Sequence, residues 1–594
     1  MAYQIFQENC SCCHRCELEC PAEAIRVKNR KCYIEPDLCV GCGHCVTVCH
    51  NGCISDPENP PAKPTPHEKI IKSCDVLVIG AGGAGTVAAA KAADAGKRVI
   101  LMEKNWEVGG SAAFGHMMRV LYSKWHAAAG QTDRREKMYQ TWLRKTKDYD
   151  VNNELLRRLL QANSDLTDWL IDAGELQKGF TWGPGRMGTP DVVFTAYDAC
   201  EFNKVRSDPS CGPGDSGWYI TNLLTDMCKR RGGEVLLNTR AVKLLQDESG
   251  KVVGALAQDP GGEIEIHAGA VIVASGAFTR NKEIMAKMQP LFYQDEGKEP
   301  VHVYTCATCT GDGITMCEEL GAHIDYVNKR ACMFGPMHHP MTYAVVAMLR
   351  NGSTVSVDKF GNPITEMGGM SEIGMLASKP GWMCWQIMDQ QAIEETVASG
   401  QASSDPDQVR AFSHWERDLN AELRDGTVVK AESPEELAEK LGFDKKVFCD
   451  FIAKHNADVR NGTLPNPFGP PPGDDGEGPM VPPPGGDDED NFMGGMMMEM
   501  PPAHELHGTL YAVFMKMFHE NAIGGMTIDE NTNVIRAADR KPIEGLYAAG
   551  DTCRGIMIPG DLGVQYVEGV LSAMTSAMCT GYLAAEKAIK YLDR

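Results

Sequence analysis

The sequence lacks any run of about 18 apolar residues, the length that a membrane-spanning helix needs. Its first residues, MAYQIFQENCSCC, contain no basic segment followed by an apolar stretch, so they do not resemble a secretory signal. Positive charge is also scarce, because 58 Lys and Arg stand against 80 Asp and Glu, giving a net charge of −22. We therefore expect a cytoplasmic protein that neither inserts into a membrane nor binds nucleic acid.

Cysteine, in contrast, is abundant and unevenly placed, because ten of the 23 cysteines fall in the first 49 residues. Without a sign of secretion, clustered thiols in a reducing cytosol indicate metal ligands rather than disulfides. Two runs share the spacing C-x2-C-x2-C-x3-C. Their members are Cys10, Cys13, Cys16 and Cys20 in the first run, and Cys39, Cys42, Cys45 and Cys49 in the second.

The repeated spacing resembles that of bacterial two-cluster ferredoxins, in which three thiolates of one run bind one 4Fe–4S cluster and the fourth binds the other. This resemblance assigns Cys10, Cys13, Cys16 and Cys49 to one cluster, and Cys20, Cys39, Cys42 and Cys45 to the other. Zinc is the alternative, but zinc pairs leave the C-x3-C-P end of the first run without a role. We predict a small α+β ferredoxin-like domain over residues 1–60 that transfers single electrons.

A Pro-rich, charged linker over residues 61–73 leads into a different kind of sequence. Asp75–Gly80 is a short apolar strand, and after a glycine-rich turn an Ala-rich helix runs over 86–95. A second strand, KRVILME, ends at Glu103, 18 residues after Gly85. This βαβ context is what a GxGxxG turn needs in order to indicate a bound dinucleotide.

The glycine-rich turn would bring backbone amides close to a pyrophosphate at the helix N-terminus, where the helix dipole favours negative charge. Its residues are Gly80, Gly82, Gly83, Ala84 and Gly85. Glu103, at the end of the second strand, would accept hydrogen bonds from the adenosine ribose hydroxyls.

Four further segments resemble the fumarate reductase/succinate dehydrogenase flavoprotein superfamily, whose relatives include ketosteroid dehydrogenases and adenylylsulfate reductase flavoproteins. The segments are KNWEVGGS at 104–111, Ala274–Gly276, TGDG at 310–313 with the Gly321-Ala322 pair, and GLYAAGD at 545–551. The resemblance covers 74–594 apart from an acidic stretch, and it implies FAD. Attachment of the FAD should be non-covalent, because Ala112 stands where the succinate dehydrogenase branch has a histidine.

The resemblance implies a set of FAD contacts beyond the glycine-rich turn and Glu103. They are Lys104, Gly109, Gly110, Ser111, Ala112, Ala241, Val242, Ala274, Ser275, Gly276, Asp312, Gly550, Asp551, Leu571 and Ser572. The implied fold is an α/β Rossmann-like FAD-binding domain with an α+β capping domain. We place the first part of the FAD-binding domain at 74–290, the capping or substrate domain at 291–455, and the second part at 456–594.

An insertion at 465–502 is rich in Pro, Gly and Met, and between 471 and 500 it has eight acidic residues and no basic one. It cannot bury enough apolar area to offset the entropy of ordering it. We interpret it as a mobile surface insertion or, alternatively, as a docking segment with an adaptable patch of methionines.

The family reduces or forms a C–C double bond by hydride exchange at FAD N5, and its substrate carboxylate is bound by a His in an H-P-T segment. His339 occupies the matching position, although a His beside Pro can also simply stabilise a loop. The Arg proton donor of fumarate reductases has no match in the segment 361–372, so fumarate itself is not the expected substrate. Tyr343 is the candidate proton donor, with Tyr566 as its rival and a packing role as the alternative. Cys309, with Cys306, forms a C-x-x-C pair that is structural, redox-active or, together with Cys317, part of a further metal site.

The leading hypothesis is an oxidoreductase that reduces an activated C=C bond, of enoate or enone type, with electrons supplied through the N-terminal clusters. Alternatives are a dehydrogenase running in the reverse direction and an electron-transfer flavoprotein subunit with no small substrate. Expected partners are an unsaturated small molecule and an electron donor protein or partner subunit that docks near the N-terminal domain. We also expect a homo-oligomer or a larger complex.

Overall fold

The computed structural model describes residues 2–7, 16, 20–22, 24–28, 31–49, 52–58, 66–114, 118–128, 130, 132–133, 135–145, 152–176, 181–184, 192–195, 216–279, 281–288, 302–303, 309–326, 333–336, 353–364, 383–401, 415–464, 503–519, 524–553, 558–559, 564–565 and 573–594. The α-helices in this part of the chain are α1 His44–Val48, α2 Gly83–Asp94, α3 Lys124–Ala128, α4 Arg135–Lys145, α5 Asn153–Asp172, α6 Ser216–Arg230, α7 Lys282–Met288, α8 Asp312–Glu319, α9 Gln390–Gln401, α10 Trp415–Asp425, α11 Pro434–Leu441, α12 Lys445–Asn461 and α13 Ala573–Leu592. Short 3-10 helices span Gly110–Phe114 and Gly550–Thr552.

The strands follow the same order along the chain. They are β1 Gln4–Ile5, β2 Ile25–Lys28, β3 Lys31–Ile34, β4 Ile54–Ser55, β5 Ile70–Ile79, β6 Val99–Met102, β7 Met118–Arg119, β8 Thr181–Pro184, β9 Val192–Thr195, β10 Glu234–Leu236, β11 Arg240–Gln246, β12 Val252–Asp259, β13 Gly262–Val273, β14 His302–Val303, β15 Ile324–Asp325, β16 Met333–Pro336, β17 Val355–Val357, β18 Pro363–Ile364, β19 Met383–Asp389, β20 Val428–Ala431, β21 Leu510–His519, β22 Gly525–Met526, β23 Asn533–Ile535, β24 Pro542–Ala548, β25 Ile558–Pro559 and β26 Val564–Gln565.

The main sheet has the strand order β10-β6-β5-β13-β12-β11, and β24 joins it beside β13. The pairs β6–β5, β5–β13 and β13–β24 are parallel. Parallel strands are buried on both faces, which explains why Val76–Val78 and Val271–Val273 are continuous apolar runs without exposed surface. This sheet brings the ends of β5, β6, β13 and β24 to one edge.

Two helices pack closely on this sheet, because small residues line their contact. The helix α2 is rich in alanine, and most of its residues are buried. On the facing helix α13, a Cβ added at Gly581 would lie 2.1 Å from the carbonyl oxygen of Ala84. The two backbones therefore approach at a distance that only glycine permits, which fixes α2 over the sheet.

A second sheet has the order β14-β21-β19-β17-β18, and β16 and β20 also pair with β21. Its core joins the apolar faces of α11 and α12, and the buried members include Leu437, Phe448, Ile452 and Leu510. The strand β21 comes from the part of the chain beyond 456, yet it pairs with β19 along seven residue pairs from Met383–Lys516 to Asp389–Leu510. Chain segments on both sides of the acidic insertion thus build this second lobe.

The N-terminal unit contains two antiparallel pairs, β1–β4 and β2–β3, and the short helix α1. Its buried core consists of Ile5, Cys16, Ile25, Cys32, Cys45, Cys53 and Ile54. Three isoleucines are a small apolar core for a unit of this length, and cysteines fill the rest of it.

Within the described part of the chain, the helices are too short or too polar to cross a lipid bilayer.

Candidate functional site

The glycine-rich turn between β5 and α2 packs tightly against neighbouring backbone at Gly80 and Gly85 but not at Gly82. Gly80 has φ of +100°, and a Cβ there would lie 2.4 Å from the carbonyl oxygen of Ala274. A Cβ at Gly85 would lie 1.8 Å from the carbonyl oxygen of Gly80. At Gly82 the nearest atom to such a Cβ would be the carbonyl oxygen of Gly109, at 3.7 Å. The first and third glycines therefore permit tight packing, whereas Gly82 keeps a surface open at the N-terminus of α2.

Glu103 follows β6 directly and is buried beside this turn. Its Oε2 accepts a hydrogen bond from the backbone N–H of Ala81 at 2.8 Å, and its Oε1 accepts one from Asn105 at 2.8 Å. Burial raises the pKa of Glu103 above its ordinary value, although these backbone donors oppose the shift. The carboxylate thus holds the glycine-rich turn in place, and its contact with a ribose stays a prediction.

An ion cluster around Asp312 joins the ends of β6, β11 and α8. Arg240 donates from Nη2 to Oδ1 of Asp312 at 2.8 Å and from Nε to Oδ2 at 3.0 Å. Lys104 donates to Oδ2 at 3.0 Å, and the Thr310 hydroxyl donates to Oδ1 at 2.8 Å. Burial works against ionisation, but the hydrogen bonds from Arg240 and Lys104 keep the pKa of Asp312 below its ordinary value.

The family resemblance predicts separate cofactor contacts for Lys104 and Asp312 and predicts no role for the side chains of Arg240 and Thr310. Both lie beside predicted contacts, since Arg240 precedes Ala241 and Thr310 opens the TGDG segment. Of the other two predicted contacts here, Ala241 is buried and Val242 is 44% exposed. Motif adjacency could have suggested Arg240 and Thr310, but the distances come only from the fold.

The segment after Glu103 runs back along the glycine-rich turn. The N–H of Gly109 donates to the carbonyl oxygen of Ala81 at 2.7 Å, and Gly82 and Gly109 form a parallel bridge. A Cβ at Gly83 would lie 3.1 Å from the Cβ of Ala112. Ser111 Oγ lies 3.4 Å from Cys309 Sγ. The predicted contacts of the 104–111 segment therefore lie against the predicted turn.

The ends of β13 and β24 bring Ser275 and Asp551 to the same edge of the sheet. Ser275 Oγ accepts from the N–H of Gly313 at 3.1 Å and lies 3.2 Å from Thr552 Oγ1. Gly550 donates its N–H to Thr580 Oγ1 at 2.9 Å. No residue within the described ranges makes a hydrogen bond to the Asp551 carboxylate, and burial raises its pKa from 3.8 to about 6. A carboxylate in this position would be stabilised by hydroxyl donors of a bound ligand.

In the N-terminal unit, four of the predicted iron ligands line one pocket. Cys20, Cys39, Cys42 and Cys45 share it with apolar neighbours such as Val40. The N–H of Ala24 donates to Cys20 Sγ at 3.3 Å. Burial, followed by the charges of Cys16 and of the other three pocket thiols, raises the pKa of Cys45 to about 11. The Cys45 thiol would therefore ionise at neutral pH only beside a strong positive charge.

Across the described residues, no three or more His, Cys, Asp or Glu side chains are arranged to hold a metal ion. The iron–sulfur clusters thus stay a prediction. Several predicted residues lie outside the described ranges: the ligands Cys10 and Cys13, the cofactor contacts Leu571 and Ser572, the catalytic candidates His339 and Tyr343, and the rival Tyr566.

Comparison with known proteins finds oxidoreductases that are similar in sequence to this chain. The chain is 26% identical over 526 residues to the NADH:fumarate oxidoreductase of Klebsiella pneumoniae (strain 342), covering 87% of this chain and 48% of that protein. It is 26% identical over 544 residues to the NADH:acrylate oxidoreductase of Vibrio harveyi, covering 83% of this chain and 49% of that protein. The chain thus spans about half the length of these curated relatives.

A solved structure has the same fold. The open conformation of a flavocytochrome c3 fumarate reductase matches with a TM-score of 0.59 and 22% identity, covering 88% of this chain and 79% of that one. The FAD binding domain family matches residues 75–561, from β5 to beyond β25. The match spans most of the sequence and includes both sheets, and the chain therefore belongs to the FAD binding domain family.

Proposed function

We propose that the chain is an oxidoreductase that reduces the activated C=C bond of a small unsaturated acid, with electrons that enter through N-terminal 4Fe–4S clusters. One observation carries the proposal: a pocket lined by Cys20, Cys39, Cys42 and Cys45 lies in the same polypeptide as an FAD-binding fold. One-electron carriers beside a two-electron cofactor are what such a reductase needs.

The residues at the edge of the main sheet are suited to FAD. Gly82 leaves room for a pyrophosphate at the N-terminus of α2, and Asp551 presents a carboxylate that no described side chain satisfies. Glu103, which follows β6, and Ser275, which follows β13, would provide further contacts to the FAD. Bound FAD would supply hydride exchange with the substrate.

The N-terminal pocket contains the four described thiols that would bind an iron–sulfur cluster, although their placement does not form a site for a single metal ion. A four-iron cluster is bound by four thiolates spread around it. The four pocket cysteines line one cavity, with one from the first run and three from the second. The backbone N–H bond to Cys20 Sγ stabilises negative charge on that sulfur. Cys16 and Cys49 would belong to the second cluster together with Cys10 and Cys13.

The substrate class is supported by the named relatives, whose names specify fumarate and acrylate, two short unsaturated acids. His339 is the proposed carboxylate ligand, and Tyr343 the proposed proton donor. The segment 361–372 has no arginine, so we expect an unsaturated acid other than fumarate to react best.

An anaerobic assay tests this proposal. The chain, loaded with iron and FAD, is supplied with reduced methyl viologen. Oxidation of the viologen is then followed after addition of acrylate, fumarate, longer enoates or cyclic enones. We expect oxidation of the viologen by at least one enoate, with formation of the saturated acid. Failure of every unsaturated compound to oxidise a fully loaded protein would contradict a reductase and favour a subunit that only transfers electrons.

A further inference from the structure

Among the predicted iron ligands that the structure describes, Cys42 has the greatest access to solvent. Cys16 and Cys45 are buried, and Cys20, Cys39 and Cys49 are half-buried. In the pocket of Cys20, Cys39, Cys42 and Cys45, Cys42 is exposed, and the neighbouring Val40 is 72% exposed. Outside this pocket, Cys16 is buried with 7% exposure, close to the buried Cys32 and Cys53. The pocket thus reaches the protein surface at Cys42, and its opening carries an apolar side chain.

The chain around the second cysteine run is acidic in sequence. Between residues 32 and 62 the sequence contains four acidic residues and no Lys or Arg. Asp37, three residues before Val40, is exposed. An acidic surface around an apolar centre attracts a positively charged protein and lets the two surfaces exclude water where they touch.

One ion pair joins the loop at this opening to the second lobe. Arg424 of α10 donates to Glu35 Oε2 at 2.9 Å, and the carbonyl oxygen of Glu35 accepts from the N–H of Cys39 at 3.0 Å. The loop that carries the pocket cysteines therefore contacts the second lobe, while Val40 still faces solvent. This contact does not cover Cys42, which is exposed.

We propose a docking surface for a protein one-electron carrier that has a basic rim around its redox group. This surface, the Val40 face, consists of Pro21, Asp37, Val40 and Cys42. This inference rests on the proposed function, and it makes the pocket cluster the point where electrons enter. Each encounter oxidises the carrier by one electron and reduces the chain by one, without making or breaking a bond. Two encounters supply the two electrons that, with two protons, saturate one C=C bond.

Cytochrome c, a small basic haem protein, serves as the probe. The holoenzyme is reduced with dithionite, and the excess dithionite is removed. It is then mixed with ferric cytochrome c, so that electrons leave the chain through the same surface. Reduction of the haem is followed by stopped flow. Binding is measured separately with zinc-substituted cytochrome c, which accepts no electron from the chain. Val40→Lys and Asp37→Lys are compared with Phe360→Lys, which changes another exposed apolar residue, 52% accessible, on the second lobe.

We expect Val40→Lys and Asp37→Lys to weaken binding and slow the bimolecular rate by about tenfold at low salt, with a smaller effect at high salt. Phe360→Lys should match the unaltered protein, and reduction by methyl viologen should not change in any variant. If Val40→Lys binds less iron, Asp37→Lys decides the test.

Equal rates and equal affinities in all three variants would contradict the proposal that the Val40 face binds the carrier. Binding of anionic vesicles, or self-association that Val40→Lys abolishes while cytochrome c binding is unchanged, would overturn the assigned partner. A failure of the proposed function looks different, because a chain without iron gives no paramagnetic signal of reduced clusters, whatever its affinity for cytochrome c.

Discussion

The main sheet and the N-terminal unit differ in the residues that form their buried cores. In the sheet, β5 and β13 bury continuous runs such as Val76–Val78, and the turn after β5 has no room for a Cβ at Gly85. In the N-terminal unit, three isoleucines and a set of cysteines form the core. Burial alone accounts for the first region, whereas we expect the second to depend on the proposed ligand bonds to its thiols. The stability of the two regions should therefore respond to different changes.

Removal of iron should have the largest effect, and only in one region. Metal binding and folding are coupled in units with a small core. After treatment with ferricyanide and EDTA, we expect backbone N–H groups in residues 20–58 to lose hydrogen-exchange protection by at least about 100-fold. Peptides covering 70–103 serve as the internal control and should not change. Retained protection of 20–58 in iron-free protein would remove the distinction between the two regions.

Gly85→Ala should have the next largest effect, in the other region. The added Cβ would lie 1.8 Å from the Gly80 carbonyl oxygen, and backbone cannot move away cheaply. We expect a loss of about 3 kcal/mol in the free energy of unfolding, measured by urea denaturation of the FAD-free protein. Exchange in residues 20–58 of the iron-loaded variant should be unaffected. A fully stable variant would show that the turn can relax.

Gly82→Ala is the matched substitution at the open side of the same turn. Its Cβ would meet only the Gly109 carbonyl oxygen, at 3.7 Å, so the FAD-free protein should unfold at the same urea concentration as the unaltered chain. FAD affinity should fall by about 30-fold, or ~2 kcal/mol, because the methyl group enters the space for the pyrophosphate. Equilibrium dialysis measures this, and unaltered affinity would contradict the position assigned to FAD.

Asp551→Asn should have the smallest effect and the clearest pH signature. Burial raises the pKa of this carboxyl to about 6, so it is protonated below that pH in the FAD-free chain. Hydroxyl donors of FAD favour the ionised form, and the affinity should therefore fall as the pH drops through 6. The variant should bind about tenfold more weakly at pH 7.5, or ~1.4 kcal/mol, and lose this pH dependence.

Asp226→Asn, at a surface site with 62% exposure, is the control for this titration. It should retain both the affinity and the pH dependence. If Asp551→Asn retains the full pH dependence, another group is responsible for it.

Local elements were largely predictable from the sequence. The strand predicted at 75–80 matches the end of β5, which spans Ile70–Ile79, and the helix predicted at 86–95 corresponds to α2, which spans Gly83–Asp94. The start of α11 is also visible in the sequence, because Ser433, whose Oγ accepts from the N–H of Glu436 at 3.2 Å, is followed by Pro434. Such features depend on neighbours within one or two turns, which a sequence displays directly.

Contacts between distant segments were not predictable in the same way. Arg240 and Asp312 are 72 positions apart, and their bidentate pair depends on where β11 and α8 end in the fold. The strand β21 pairs with β19 across the acidic insertion, and no local pattern specifies that partner. The motifs identified the family and the FAD, whereas the ion cluster around Asp312 and the strand composition of the second lobe required the structure.

The central claim is that one polypeptide combines iron–sulfur clusters with FAD. Metal and flavin analysis of protein purified without oxygen tests it most directly. The account predicts about eight iron and eight sulfide per chain, together with one released FAD. A chain that contains a full equivalent of FAD but almost no iron or sulfide would contradict it.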